Sequence, residues 1–525
     1  MPAWTFALVC LLLAVAANAA PPVTTVSLDA NRALCVNGQP FFPIMIWLQD
    51  PANFPKAKET GCNTVAGYWP GSGGTKDVAE YLKLVEQAGL YGVMPFDAKL
   101  KGHPALLAYI HGDEPDLSHE ESDAQVLPGE GLRINKSAPL WKILDGVTST
   151  WSVLDPMEGA SLTIKPKAPV KLQKLVVWLT ISAGLAVAKD VEFLADGKPL
   201  VSATLENKRG GQELTFAPTE LAELTLRVKS AYPGTNVWGS ISEIQGLDAE
   251  GKNLLLSAPH QVPRATPEET LKSYQDLRQA DSSRPIFMTL TASFMPVFSK
   301  WPEEQREPLY RAYIEAADAV GFDIYPLYGW GRADWIDRVS DGAAQLRQLA
   351  GNRLTYQWIE TSKGGQWVGE KNQVDVTPRH IRAEVWMAIC RGATAIGYFT
   401  HIWKPAYSQF GVPPENVAAM KQLNDQITRL SPVLLTADSK REVKITLAGD
   451  LKAAVLAKEH DGALYLFCVN CDPHDKGGLA TLSVAGLKAG TEIEVVDEGR
   501  KLTAAEGSFT DDFGPLAVHV YRIAQ

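Results

Sequence analysis

Cysteine, long apolar runs and ligand-cradling loops are what this sequence has little of, and each shortage excludes something. Six cysteines occur in 525 residues: Cys10, Cys35, Cys62, Cys390, Cys468 and Cys471. Cys10 falls in an N-terminal apolar run. The other five are an odd number, so at least one thiol stays unpaired. Cys468-Val-Asn-Cys471 has the spacing of a metal knuckle or redox pair, yet no second pair accompanies it. Core packing or a local disulfide is the expectation. No phosphate-binding loop appears, and Gly71-Ser72-Gly73-Gly74 reads as a flexible connection. His119, Glu120, Glu121 and Asp123 read as a solvated linker rather than a metal site. No metal and no other cofactor is expected. Excess positive charge is missing too. The 50 Lys and Arg stand against 60 Asp and Glu, and the net charge of −10 disfavours nucleic acid as a partner. Short repeats and low-complexity tracts are absent from the sequence.

The one pronounced apolar run covers 5–17 and is followed by Ala17-Asn18-Ala19, a small-residue cleavage pattern. Residues 1–19 read as a secretory signal, although no Lys or Arg precedes the run. The run is too short to span a bilayer comfortably, and no other stretch is long enough. No membrane partner is expected. The mature chain is expected to be secreted or periplasmic.

What is present is a globular balance, 46% hydrophobic and 21% charged, at a length that suits two to four domains. A small strand pair is expected over 23–38. Apolar runs at 41–48, 62–68, 91–96 and 106–110 then predict buried strands, with helices near 53–60 and 76–88. Only 97–104 separates the third strand from the fourth, room for about one helical turn. Alternation resumes at Thr266-Pro267-Glu268-Glu269, a helix start with Thr as cap and Pro first. Helices at 268–281, 303–317, 335–349 and 377–391 lead to strands at 285–290, 320–325, 354–360 and 394–399. A helix at 414–430 closes the series. Eight apolar strands alternating with helices over about 250 residues predict an α/β fold, a (β/α)8 barrel split into 20–116 and 264–435.

The stretch between, 117–263, is rich in Thr, Val and Leu. Strand-like runs at 172–181, 190–194 and 221–228 are separated by turn signals such as Asp196-Gly197 and Pro233-Gly234. It reads as a β-sandwich inserted after strand four. Residues 436–525 read as a C-terminal β-sandwich. Barrel active sites lie at the carboxyl ends of the strands, so the insertion is expected on that face.

The chemistry starts at the fourth strand. Leu106–Ile110 is followed by His111-Gly112-Asp113-Glu114-Pro115-Asp116. Pro115 ends the strand and restricts Glu114 to an extended or turn conformation. Leu354–Glu360, Leu-Thr-Tyr-Gln-Trp-Ile-Glu, is again an apolar strand ending in Glu. Strands four and seven face each other across an eight-stranded barrel. Two carboxyls about 5–5.5 Å apart are what cleavage of a glycosidic bond with retention needs. One protonates the leaving oxygen and the other attacks carbon.

On Asp113-Glu114-Pro115 after strand four and Glu360 after strand seven, the chain resembles the clan A retaining glycoside hydrolases over about half its length. The resemblance implies Glu114 as acid/base and Glu360 as nucleophile. Many members carry Asn where this chain has Asp113. Asp accepts a bond from a sugar hydroxyl but has no amide proton to donate, and its charge favours a protonated Glu114. Members often place a Tyr or His after strand six and a Trp after strand eight. Phe322-Asp323-Ile324-Tyr325-Pro326 offers Tyr325, and Thr400-His401-Ile402-Trp403-Lys404 offers Trp403. Trp47, Tyr68, Trp69, His111 and Asp323 also fall at strand ends. They are candidates for substrate contact, with loop packing or satisfied structural groups as the bland alternative. A retaining β-glycoside hydrolase acting on an oligo- or polysaccharide is the expectation. The alternatives are a non-catalytic carbohydrate-binding protein on the same scaffold, or a transglycosylase using the same residues. Within the insertion, Ile143-Leu144-Asp145-Gly146-Val147-Thr148-Ser149-Thr150-Trp151 and Ile241-Ser242-Glu243-Ile244 are similar to discoidin-type sandwiches, some of which bind sugars.

Overall fold

The computed structural model describes residues 20–525. The signal expected at 1–19, Cys10 included, lies outside the described residues. The chain folds as two compact units, one running to Leu117 and resuming at Pro263, the other spanning Ser118–Val262.

The first unit is built on eight parallel strands: β1 (Ile44–Trp47), β2 (Thr64–Ala66), β3 (Tyr91–Met94), β4 (Leu106–Ile110), β5 (Ile286–Thr291), β6 (Ala319–Asp323), β7 (Leu354–Glu360) and β8 (Ala395–Phe399). They close into a barrel in chain order, with β8 pairing back onto β1. Nearly every strand residue is buried, as a sheet covered on one side and filled on the other requires. The helices are α1 (Phe54–Glu59), α2 (Val78–Gln87), α3 (Pro267–Ala280), α4 (Glu303–Ile314), α5 (Pro326–Trp330), α6 (Asp337–Ala350), α7 (Pro378–Cys390) and α8 (Pro414–Leu434). Between β3 and β4 only a 3-10 turn, Ala98–Leu100, is formed. Thr266 and Glu269 close a reciprocal capping box at the start of α3.

Large rings from β7 fill the barrel. The Tyr356 hydroxyl lies 2.9 Å from that of Thr289, and the Trp358 indole N–H donates to the same oxygen at 3.0 Å. The neighbouring strands make room with glycine. A Cβ at Gly321 or Gly397 would stand 2.1 Å from the Tyr356 or Trp358 ring. Trp47 packs against Trp358 at 5.1 Å.

Three features differ from the sequence expectation. The short helix α5 follows β6 directly: Pro326 sets its first turn and Gly331, at φ +64°, ends it. Five residues carry too little periodicity to announce it. Helix α8 runs on to Leu434 through Pro432 instead of stopping at 430. The leading strands also number three, Val26–Leu28, Leu34–Val36 and Gln39–Phe41, rather than a pair.

Beyond α8, all-antiparallel sheets of three and five strands form the C-terminal sandwich. It packs on α7, where Trp386 stacks on Phe467 at 5.5 Å and the Cys390 thiol donates to the Phe467 carbonyl at 3.3 Å. Cys35, Cys62, Cys390, Cys468 and Cys471 are all buried free thiols. The local Cys468–Cys471 disulfide is not formed, and both side chains pack in the core.

The second unit is a sandwich of a four-stranded and a five-stranded antiparallel sheet around its own apolar core. Its Asp145-Gly146 motif forms a turn. Asp145 accepts from the Val147 N–H at 2.8 Å and the Thr150 hydroxyl at 2.7 Å. Glu243, wholly buried, reaches the Gly146 N–H at 3.2 Å. Burial, then the Asp145 charge, pushes Glu243 up to about 8. The two sequence motifs thus meet at one turn.

Candidate active site

Glu114 follows β4 by four residues, at the carboxyl mouth of the barrel. Its φ of +48° is left-handed, a turn and not an extended conformation, and a costly one for a side chain preceding proline. The turn is anchored by Asp116. That fully buried carboxylate accepts from the Thr291 N–H at 2.9 Å, the Thr291 hydroxyl at 2.6 Å and the Tyr310 hydroxyl at 2.7 Å. Asp116 is therefore a structural tie between the β4 loop, the end of β5 and α4. The Glu114 side chain keeps 21% of its surface open.

Facing Glu114 is Asp323 at the end of β6, partly open, and the two carboxyls are hydrogen-bonded to each other. Such a bond needs a shared proton. Burial pushes Glu114 up to about 7, the Asp113 charge adds to the rise, and the bond to Asp323 opposes it. Burial and the Glu114 charge hold Asp323 well above the usual carboxylate range. The Arg264 guanidinium lies 3.7 Å from Glu114 and donates to the Asp113 carbonyl. Asp113 is exposed as a residue, while lost hydration around its carboxyl pushes it up to about 6 against the Arg264 charge. Tyr325 stands at 8% exposure, its hydroxyl proton held on by burial and by the charges of Asp323, Asp113 and Glu114. The structure thus brings together Asp113, Glu114, Asp323 and Tyr325.

Glu360 has different partners. It is 0% exposed. The first turn of α5 donates to both of its oxygens, Leu327 N–H at 3.0 Å and Tyr328 N–H at 2.6 Å. A second fully buried carboxyl, Glu384 of α7, stands against it, and the charge of each acts on the other. Burial pushes Glu360 up to about 7 against the contact with Glu384 and the two N–H bonds, and burial plus the Glu360 charge drives Glu384 well above the carboxylate range. In this arrangement Glu360 presents no open face.

The remaining expected residues divide the same way. Trp403 belongs to an aromatic wall, stacked at 13° on Phe399, which packs 5.0 Å from Tyr325. Trp69 is 48% exposed on the loop after β2. Trp47 is 9% exposed and part of the barrel packing. His111 is buried and its Nε2 lies 2.8 Å from the Ala316 carbonyl; burial depresses its pKa and keeps it neutral. It reads as a satisfied structural group. Sequence reasoning did not find Arg264, Glu384, Trp367 or Tyr407. Arg264 sits at the return from the insertion, 150 residues from Glu114 along the chain. Trp367 and Tyr407 lie in loops without periodicity. In the second unit, a cavity of about 820 Å³ is bounded in part by Arg133, Asn135, Lys142, Trp151 and Trp238. Among the described residues no group of three or more His, Cys, Asp or Glu could hold a metal ion.

No family model matches the chain, and no curated protein matches it. Solved structures do. A family 32 carbohydrate-binding module from Clostridium perfringens NanJ, solved with galactose, is 15% identical over 24% of this chain and 98% of its own, at a TM-score of 0.21. An Anoxybacillus alpha-amylase is 11% identical over 50% of this chain and 57% of its own, at 0.35. The alpha-amylase of Geobacillus thermoleovorans, solved with acarbose, is 12% identical over 50% and 58%, at 0.35. The chain spans a little over half the length of the two amylases.

Proposed function

We propose that the protein is a carbohydrate-active enzyme, a glycoside hydrolase whose proton donor is Glu114. The observation that carries this reading is the Glu114–Asp323 pair. A carboxyl poised near neutral pH, sharing a proton, stands at the carboxyl mouth of a (β/α)8 barrel beside an aromatic wall. Protonation of a leaving glycosidic oxygen needs such a group. Export after removal of 1–19, and sugar binding by the inserted sandwich, belong to the same proposal.

For the finer mechanism, the retaining route gives the attack to Glu360 at the end of β7, on a β-linked oligo- or polysaccharide. That role requires α5 to move aside, because Leu327 and Tyr328 now occupy both carboxylate oxygens. A second reading is favoured by the hydrogen bond itself: Asp323 is the carboxyl that already faces Glu114.

The test is turnover of a panel of aryl β-glycosides and polysaccharides by the wild type, Glu114→Gln, Asp323→Asn and Glu360→Gln. Glu114→Gln is expected to retain activity only on substrates with good leaving groups. Azide is then expected to accelerate the second step of a retaining reaction, and proton NMR of the first product reads its anomeric configuration. Loss with Glu360→Gln supports retention through Glu360. Loss with Asp323→Asn while Glu360→Gln turns over moves the role to Asp323. Binding with no turnover on any substrate would replace the enzyme by a binding protein.

A further inference from the structure

Aromatic rings step outward from the carboxyl pair. Tyr325 lies 5.0 Å from Phe399, and Phe399 is stacked 6.2 Å from Trp403. Trp403 then has Tyr407 at 5.5 Å and Trp367 at 6.4 Å. Exposure rises along the series, from 8% at Tyr325 to 50% at Tyr407 and 62% at Trp367. Rings this open add little to core burial.

The backbone nevertheless holds them in place. The Trp403 N–H donates to the Gly364 carbonyl at 2.8 Å, tying the loop after β8 to the loop that carries Trp367. Gly364 has φ +113°, and a Cβ there would stand 2.7 Å from the Lys404 carbonyl. The Gln373 side chain clasps the same loop through the Gly364 N–H at 2.6 Å and the Gly365 and Val368 carbonyls at 3.1 and 2.9 Å. Ile402 and Ser408 exchange two backbone bonds of 2.9 Å, which closes the turn bearing Tyr407. A braced loop that presents bare rings to water is preorganised for a ligand with flat apolar faces.

Charge narrows the ligand. At the inner end stand Asp113, Glu114 and Asp323, and the cation affecting Glu114 is Arg264, already engaged with the Asp113 carbonyl. An acidic sugar laid there meets the charge of Asp113 and the one charge that the Glu114–Asp323 pair keeps.

Resting on the hydrolase reading, we propose that Trp367 and Tyr407 form an outer platform continuing the wall from Trp403, and that its ligand is a neutral glycan chain of more than one sugar unit. The inner rings serve the unit at the bond to be cleaved; Trp367 and Tyr407 hold units beyond it.

The test uses the full chain in the Glu114→Gln background, which leaves polymers intact. Affinity electrophoresis is run through gels containing neutral β-glucan, mannan or arabinoxylan, and through gels containing alginate or pectate. At least one neutral polymer is expected to retard the parent. Trp367→Ala with Tyr407→Ala is expected to weaken that retention about tenfold or more at unchanged Tm, and Trp367→Phe to preserve most of it. Retention unchanged in the double variant, preference for the uronate polymers, or no retention by any neutral polymer would overturn the platform. The hydrolase reading fails separately: binding lost in the double variant while the wild type cleaves nothing keeps the platform and removes the enzyme. Cleavage by the wild type with binding unaltered does the reverse.

Discussion

Glu114 and Glu360 begin alike. Each stands at or just past the end of an apolar barrel strand, each is raised from 4.5 to about 7, and each has one other carboxyl against it. They end in opposite surroundings. A left-handed turn pinned by Asp116 leaves the Glu114–Asp323 pair at the mouth, with Asp113 beside it. Helices α5 and α7 close over Glu360 and Glu384, both 0% exposed. The difference teaches that a raised carboxyl is a reagent only where something can take its proton. With α5 in place the sealed pair instead braces the joint between β7, α5 and α7, because a buried carboxylate left without partners is costly; the attack proposed for Glu360 needs α5 to move aside first.

The comparison breaks most sharply under substitution of the two pairs. Glu114→Gln is expected to lower turnover of substrates with poor leaving groups by about 10²–10⁴, the usual worth of a general acid. Glu384→Gln, which keeps a donor for Glu360, is expected to leave turnover within a few-fold. Steady-state rates on one substrate compare them. An equal collapse in Glu384→Gln at unchanged fold would mean that the sealed pair works too.

Stability against pH gives a smaller effect. Both Glu pKa values are raised in the folded chain, so the folded state holds more protons than the unfolded one between pH 4.5 and about 7. The contribution is therefore fully present below 4.5 and is lost as pH rises through 7. Tm is expected to fall across that window. Glu384→Gln is expected to flatten the part due to Glu360, and Asp323→Asn the part due to Glu114. Melting curves from pH 4 to 8 measure both, and a wild-type Tm that climbs over this range would reverse the sign.

The smallest effect is a shift in the upper pH limb of activity, where Glu114 loses its proton. Asp113→Asn removes a charge that raises Glu114, so the limb moves to lower pH. Arg264→Gln removes a charge that lowers it, so the limb moves to higher pH. Parallel kcat/KM profiles check the two directions. Shifts of the same sign would mean that another acid sets the limb.

Much of this was legible in the sequence. The eight strands stand out because a parallel barrel buries both faces and writes near-continuous apolar runs; β7 was expected at 354–360 and is found there. The place of Glu114 followed from the strand before it and Pro115 after it. What did not follow is accessibility. Nothing local to Trp-Ile-Glu says that a five-residue helix after β6 donates two N–H groups to Glu360, or that Glu384, 24 residues on, completes the seal. Asp323 was a strand-end candidate whose pairing with Glu114 depends on β4 and β6 converging through β5. Arg264 is brought back by the return of the chain from the inserted unit. These are tertiary facts, and strand periodicity carries none of them.

The central claim is that the open pair and the sealed pair differ in access, not in pKa. Carboxyl labelling of the folded wild-type protein near pH 6 tests it, with a water-soluble carbodiimide and an amine nucleophile, read by peptide mass mapping over time. Glu114 is expected to be labelled while Glu360 and Glu384 stay unmodified until the protein is unfolded. Labelling of Glu360 at the rate of Glu114 in the native protein would contradict the account.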